Sequence, residues 1–382
     1  MSPLPSPFDL DMMAIALRVA ERGLGNVAPN PAVGAVIANA ATGEVIARGW
    51  TQPGGRPHAE TEAIRRAGVR ARGATMYVTL EPCAHHGKTP PCADAIIAAG
   101  LKRVVVGVGD PDLRTAGEGV ARLRSSGIEV LEKVREDEAC WLTLGHILRV
   151  TQGRPFVTLK MATDAQGNIP RGDGAAPVWA TGPEARAAGH LLRARADAIL
   201  VGAGTVLADD PDLTCRLPGL EGRSPDRIVM WGRKPFPADR RLVKTAGAVP
   251  VILIRPVGFR DNLTPLRKAG VTVIEPAIRV SHVSPDLAVG LLAERGCTRL
   301  LVEGGPVLWR AFSEAGLADE VALFIAGHTI DTRGAEEILT RHLGPGIYKL
   351  ITRRSVGADT MLLWARDPVA GCAGQLAAVQ RH

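Results

Sequence analysis

The chain has 382 residues, too many for one ordinary hydrophobic core and enough for two, since domains usually hold about 100 to 200 residues. Hydrophobic residues make up 46%, charged residues 22% and aromatic residues 4%, which excludes a disordered chain and implies cores packed mainly from aliphatic side chains. The formal charge of +7 comes from Lys and Arg scattered among acids, with no basic run interleaved with aromatics, so a nucleic-acid partner is not expected and a small phosphorylated substrate is compatible.

In chain order, Met1 to Asp9 lacks the basic start and apolar run of a signal peptide, and no apolar stretch approaches the ~20 residues of a membrane span. A cytoplasmic protein without a membrane partner is therefore expected. Leu10, Met13, Ala14, Leu17 and Ala20 recur at helical spacing and predict a core-facing helix that stops near Gly23 and Gly25. Val33 to Ala38 and Val45 to Trp50 straddle the turn signal Thr42-Gly43 and read as a strand pair. A helix over His58 to Ala67 follows, then strand Met76 to Leu80, helix Cys92 to Ala99 and strand Arg103 to Val108. Helix Gly119 to Ser125, a short strand around Ile128 to Leu131 and a helix from Glu136 to Arg149 complete a layered α/β grammar.

Gln152-Gly153-Arg154-Pro155 supplies breaker residues before a new strand, Phe156 to Lys160, and sets the expected domain boundary: residues 1–150 and 151–370, with a small, polar, poorly ordered tail over 371–382. The second half repeats the pattern with helix Pro183 to Arg195, strands Ala198 to Val201, Arg227 to Met230 and Val249 to Ile254, helix Leu287 to Arg295 and strand Leu300 to Val302.

The first chemical constellation is His58-Ala59-Glu60, followed by Glu81-Pro82-Cys83 and Pro90-Pro91-Cys92, all read as helix starts. Pro suits a first helical position, so each Pro-Cys would set a thiol at a helix N-terminus, where the dipole favours the thiolate that binds metal. One His and two Cys suit tetrahedral Zn²⁺ and leave a fourth position for water, with Glu60 placed to move that water's proton. A closed structural site with His85 or His86 as fourth ligand is the alternative, and it leaves Glu60 without a role. H-x-E followed by P-C-x-x-C marks zinc nucleobase deaminases. Here eight residues separate Cys83 from Cys92, so that simple pattern fits only with an insertion.

The remaining cysteines, Cys140, Cys215, Cys297 and Cys372, lack metal-ligand spacing and are expected to pack as small hydrophobes, with Cys372 exposed in the tail and no disulfide framework. In the second half, Ile199-Leu200-Val201-Gly202-Ala203-Gly204 and Leu300-Leu301-Val302-Glu303-Gly304-Gly305-Pro306 each run from a buried strand into glycines, a device that lets backbone N–H groups face phosphate oxygens. Neither is the G-x-G-x-x-G fingerprint, so a dinucleotide would sit on another fold.

The run Thr79-Leu80-Glu81-Pro82-Cys83-Ala84-His85-His86-Gly87-Lys88-Thr89-Pro90-Pro91-Cys92, with Pro29-Asn30-Pro31 and Val33-Gly34 upstream, resembles the deaminases of riboflavin biosynthesis. Gly153-Arg154-Pro155-Phe156-Val157, Gly204 to Pro211 and Val302-Glu303-Gly304-Gly305 resemble the reductase fused to that deaminase, and the resemblance covers residues from about 9 to 365. It implies a cytidine-deaminase-like three-layer α/β/α domain followed by a dihydrofolate-reductase-like α/β domain. It also implies Zn²⁺ and NADPH as cofactors, a phosphorylated ribosylaminopyrimidine as the small-molecule substrate, and a homodimer.

By the same resemblance, His58, Cys83 and Cys92 hold zinc and Glu60 is the proton shuttle. The donors that His85, His86, Lys88 and Thr89 offer between the two thiolates make them candidates for the ribosyl phosphate, with Asn30 on the sugar or base; the alternative is that Lys88 is a solvated loop residue and one of the histidines a packing group. By resemblance, Thr163, Trp179, Thr205, Asp209, Gly305, Pro306 and Val307 meet NADPH. Arg193, Leu213, Arg216 and Glu303 meet substrate, and Lys160 assists binding or opening of the sugar. Pro177 stands where the family usually has a substrate-binding serine and offers no hydroxyl, and Thr163 to Gly167 replaces a more usual Ser-Leu-Asp-Gly pattern. The competing readings are another nucleobase or RNA deaminase with an unrelated second domain, and a zinc-stabilised binding protein without catalysis.

Overall fold

The α1 helix (Pro7–Ala20) starts from a capping box, in which Ser6 Oγ accepts the Asp9 N–H while the Asp9 carboxylate accepts the Ser6 N–H and O–H. The same carboxylate accepts Tyr77 Oη at 3.1 Å and Arg103 Nη1 at 2.6 Å, so one buried acid anchors the first helix to two later strands. These details come from a computed structural model that describes residues 4–87, 89–169, 180–258, 262–327, 330–345 and 348–366. The chain divides into two compact units between Arg154 and Pro155.

In the first unit, β1 (Gly34–Asn39) and β2 (Glu44–Trp50) form the expected antiparallel pair. They are followed by α2 (Ala59–Ala67), β3 (Thr75–Leu80), α3 (Cys92–Ala98), β4 (Arg103–Val108), α4 (Glu118–Ser125), β5 (Glu129–Leu131) and α5 (Glu136–Gln152). The sheet order is β2-β1-β3-β4-β5, with β3, β4 and β5 parallel. Helices α1 and α5 pack on one face, and α2, α3 and α4 follow one another on the other, giving three layers. β1 and β3 are almost wholly buried, as strands covered on both faces must be.

Two glycines set how closely the helices approach. A Cβ on Gly34 would lie against the Ala16 carbonyl oxygen of α1, and one on Gly49 would lie against the Ala59 carbonyl oxygen and 2.5 Å from the Ala63 nitrogen of α2. Gly49 pairs with Ala35, the neighbour of Gly34, so the alternation of the strand sends the two close approaches to opposite faces.

The second unit contains β6 (Phe156–Thr163), α6 (Pro183–Ala194), β7 (Ala198–Gly202), α7 (Ala203–Asp209), β8 (Asp226–Met230), α8 (Arg241–Lys244), β9 (Val251–Ile254) and α9 (Thr264–Lys268). It continues with β10 (Thr272–Ile274), α10 (Pro285–Glu294), β11 (Arg299–Val302), α11 (Pro306–Glu314), β12 (Glu320–Ile325), α12 (Thr332–Leu343), β13 (Tyr348–Val356) and β14 (Asp359–Arg366). The sheet runs β10-β9-β8-β7-β11-β6-β12-β14-β13, parallel as far as β12 and antiparallel through β14 and β13. Aliphatic side chains fill its core, with Val157, Leu159, Leu200, Leu300, Val321 and Leu323 among those fully or almost fully buried.

The Gly202-Ala203-Gly204 stretch that follows the buried strand enters the short α7 directly. Cys215 and Cys297 are buried and in no disulfide, as small hydrophobes would be. Cys140 is buried but disulfide-bonded, contrary to the expectation of packing alone. The tail over 371–382, including Cys372, lies outside the described residues. Among the described residues no helix is long and apolar enough to cross a membrane.

Candidate active sites

In the first unit, His58 is the N-cap of α2, Cys92 is the first residue of α3, and Cys83 lies in the loop after β3. Two expectations are corrected here. Cys83 is not at a helix start, because none of the described residues between Pro82 and Pro91 is helical; and Pro91 is the N-cap of α3 rather than its first helical residue. The loop is held otherwise: the Glu81 carboxylate, buried next to Pro82-Cys83, accepts the N–H groups of Asp110, Gly117 and Val120 at 3.1–3.3 Å.

His58 Nδ1 stands 3.3 Å from Cys92 Sγ and 3.8 Å from Cys83 Sγ, and the Cys92 N–H donates to Cys83 Sγ at 3.3 Å. The three ligand atoms all lie within 4.8 Å of one another, and His85 and His86 do not join the group. Hydrogen bonds from Cys92 and His58 overcome burial and hold the Cys83 thiol at about 4, in thiolate form, while that same thiol raises His58. Glu60, second residue of α2, is buried, and its burial pushes the carboxyl up against the opposing pull of His58. A nitrogen and two sulfurs converging around one point, with a buried carboxyl beside them, fit zinc and its tetrahedral preference.

Asn30 Nδ2 lies 3.3 Å from His58 Nε2 and donates to the Gly55 carbonyl at 2.8 Å, so this residue does reach the ligand cluster. His85 Nδ1 is 3.2 Å from Thr115 Oγ1, and Thr89 Oγ1 accepts Arg56 Nη1 at 2.6 Å. Arg56, beside the cluster, carried no motif signal. Lys88 lies outside the described residues.

In the second unit, Lys160, Arg193, Thr205, Asp209, Arg216, Glu303 and Gly305 all line one cavity of about 640 Å³. These residues come from β6, α6, α7, the segment after α7, the end of β11 and the N-cap of α11. Arg193 and Glu303 form a fork: Nε to Oε1 and Nη2 to Oε2, both at 2.8 Å, with Nη1 on the Thr214 carbonyl at 2.9 Å. Arg193 is thus already neutralised, and of the two arginines expected to meet substrate only Arg216 is exposed and without an ion pair among the described residues.

Burial alone would push Glu303 up, but the charge and hydrogen bonds of Arg193 and the charge of Lys160 hold it at about 2. Burial lowers Lys160, with Glu303 opposing and Arg193 adding to the shift. Lys160 sits within β6, and is not the surface strand-end lysine it resembles in sequence.

Thr163 and Leu213 are buried and do not line the cavity; the Leu213 side chain belongs to the core beside β7 and β8. Thr163 Oγ1 is a buried hydroxyl with no hydrogen-bond partner among the described residues, an atom that a cofactor group would satisfy. Pro306 opens α11 and Val307 is 86% exposed, both outside the cavity lining. A Cβ on Gly202, Gly204 or Gly305 would meet nothing within 4 Å, leaving open room where backbone N–H groups can meet a dinucleotide's phosphates. Trp179 and Pro177 lie outside the described residues. The cavity also includes His190, Arg186 and Trp309, none of which sequence reasoning singled out.

Residues 7–108 match the family model for the cytidine and deoxycytidylate deaminase zinc-binding region, and residues 155–340 match that of the RibD C-terminal domain. Over 373 residues the chain is 38% identical to the riboflavin biosynthesis protein RibD of Escherichia coli (strain K12), covering 92% of this chain and 97% of that protein. The chain belongs to the RibD family. It is 38% identical to the RibD of Aquifex aeolicus over 319 residues, 83% of this chain and 86% of that one. Solved structures agree. The Acinetobacter baumannii RibD superimposes with a TM-score of 0.79 at 31% identity, covering 94% of this chain and 98% of that one. The Thermotoga maritima diaminohydroxyphosphoribosylaminopyrimidine deaminase/5-amino-6-(5-phosphoribosylamino)uracil reductase does so with a TM-score of 0.79 at 35% identity, covering 94% and 99%. As a RibD, the chain is a bifunctional enzyme of riboflavin biosynthesis, with a zinc-binding deaminase domain and a reductase domain that uses NADPH.

Proposed function

We propose that residues 1–150 carry out the deamination and residues 151–370 the reduction, with each role assigned to particular side chains. The carrying observation is the convergence of His58 Nδ1, Cys83 Sγ and Cys92 Sγ within 4.8 Å, beside the buried Glu60. His58, Cys83 and Cys92 hold zinc, which supplies Lewis acidity and activates water at neutral pH. Glu60, buried beside those ligands, would take the proton of the attacking water as its oxygen adds to C2 of 2,5-diamino-6-(5-phosphoribosylamino)pyrimidin-4-one. It delivers a proton first to the ring nitrogen and then to the departing amine, so ammonia leaves and a uracil ring remains. Asn30 orients sugar or base, and Lys88 and Thr89 lie on the stretch assigned to the phosphate.

In the second unit, Arg216 takes the substrate phosphate, and Glu303, fixed by Arg193, accepts from the sugar hydroxyls. Lys160 gives a proton to the ring oxygen as the C1′–O4′ bond breaks and the glycosylamine nitrogen forms a double bond to C1′. NADPH, when bound, would supply the hydride to C1′ that leaves the ribitylamine. Thr163, Trp179, Thr205, Asp209 and the stretch Gly305-Pro306-Val307 hold the dinucleotide, and Leu213 shapes the substrate side through its main chain. A homodimer in the cytoplasm is the setting this reading implies.

The test is mass spectrometry of products from the purified chain, without and then with NADPH, alongside Glu60→Gln. Amine-to-carbonyl conversion without NADPH, a two-hydrogen gain only with it, and loss of the first step alone in the variant are expected. Deamination that survives in Glu60→Gln would remove the proton shuttle from the scheme.

A further inference from the structure

The segment after α7 that carries Arg216 has no regular secondary structure, and Leu213 within it adopts a left-handed φ of 56°. Its backbone therefore lacks a ladder to hold it, and α6 holds it at three consecutive residues. Arg193 Nη1 donates to the Thr214 carbonyl at 2.9 Å, Cys215 Sγ donates to the His190 carbonyl at 3.5 Å, and the Arg216 N–H donates to His190 Nδ1 at 3.3 Å. His190 and Arg193 are three residues apart on α6 and so share a face, the one that lines the cavity.

We propose that His190 is a positioning residue of the reductase: through Nδ1 it holds the main chain of Arg216 against α6, so that the Arg216 guanidinium stands at the cavity for the substrate's phosphate. This rests on the reading of that cavity as the phosphorylated-substrate site. Nδ1 accepts only in the neutral ring with its proton on Nε2. The surroundings keep that form: burial, then the charges of Arg193 and Arg216, lower His190 to about 4. A neutral acceptor is what the position needs. A carboxylate there would pair with the guanidinium and compete with phosphate, and a cation would add repulsion to a wall that already holds Arg193, Lys160 and Arg216.

The experiment uses the full chain and follows NADPH oxidation with 5-amino-6-(5-phosphoribosylamino)uracil and with its dephosphorylated analogue. Three substitutions separate shape from hydrogen bonding. His190→Phe keeps a ring without an acceptor, His190→Asn places an amide oxygen near the position of Nδ1, and His190→Gln reaches the position of Nε2 instead. His190→Phe and His190→Gln should raise KM for the phosphorylated substrate about five- to tenfold with little change in kcat, and shrink the preference for phosphate. His190→Asn should recover most of both, and deamination by the same preparations should be unchanged.

If His190→Phe does not fold, the Asn and Gln variants still decide, and equal values for the two would overturn the proposal. So would a wild-type KM and phosphate preference in His190→Phe while Arg216→Ala loses that preference, which would leave the cavity reading intact. If Arg216→Ala also keeps the preference, the phosphate reading itself fails.

Discussion

Replacing Glu303 by Gln leaves Arg193 and Lys160 in one cavity wall without their shared counter-charge. The magnitude follows from two independent lines. The Glu303 carboxyl is held at about 2 against an ordinary value of 4.5, a difference worth about 3 kcal/mol. The Arg193 and Glu303 side chains are 15% and 10% exposed, and breaking a buried pair by removing one partner costs about 3 to 5 kcal/mol. Gln keeps one acceptor for the guanidinium, so the lower figure, about 3 kcal/mol, is expected. For a unit of this size that lowers Tm by roughly 6 to 12 °C.

Calorimetry of the whole enzyme should show the reductase transition move down, with NADPH oxidation lost and deamination kept. The pH dependence has a definite sign. A depressed folded-state pKa stabilises above the unfolded value and is lost as pH falls, so the wild-type advantage should be full above pH 4.5 and shrink toward pH 2. A Glu303→Gln enzyme that unfolds with the wild type at pH 7, or a gap that stays constant on acidification, would refute the electrostatic account of this pair.

Stripping the metal with a chelator, or Cys83→Ser, should remove bound zinc by elemental analysis and abolish deamination, while reduction of the already deaminated substrate continues; metal-free protein that still deaminates would contradict the assigned ligands. Gly49→Ala puts a methyl against the α2 backbone, 2.5 Å from the Ala63 nitrogen, and the helix that presents His58 and Glu60 must move. A stability loss of about 1 to 3 kcal/mol by urea unfolding is expected for the first unit. Deamination should fall about tenfold or more with reduction spared, and wild-type deamination in this variant would show that the close approach does not position α2.

The two sites differ in how far they can be read from sequence, and chain distance explains the difference. His58, Glu60, Cys83 and Cys92 fall within 35 residues, and the elements that carry them follow the sheet in order, so spacing and ligand chemistry are enough to find them. What spacing could not supply was the shape of the loop. Pro82-Cys83 carries the same local signal as Pro91-Cys92, yet only the second opens a helix, because Glu81 is taken up by the N–H groups of Asp110, Gly117 and Val120 from beyond the next strand.

In the reductase unit the decisive contacts span much longer stretches. Arg193 and Glu303 are 110 residues apart and meet because β7 and β11 are neighbours in the sheet, a pairing across which no local pattern runs. Each residue alone reads as a substrate ligand; only their fork reveals that Arg193 is neutralised and that Arg216 has no ion pair among the described residues. His190 shows the same limit from the other side. A single histidine on an amphipathic helix resembles a packing residue, and its role depends on a segment 26 residues away that lies outside every helix and strand and is held by side chains, Ser224 Oγ on the Cys215 N–H among them. Residue types therefore identify the chemistry, while the charge state and orientation of the reductase groups are set by strand order, and it is there that substitutions such as Glu303→Gln separate binding from architecture.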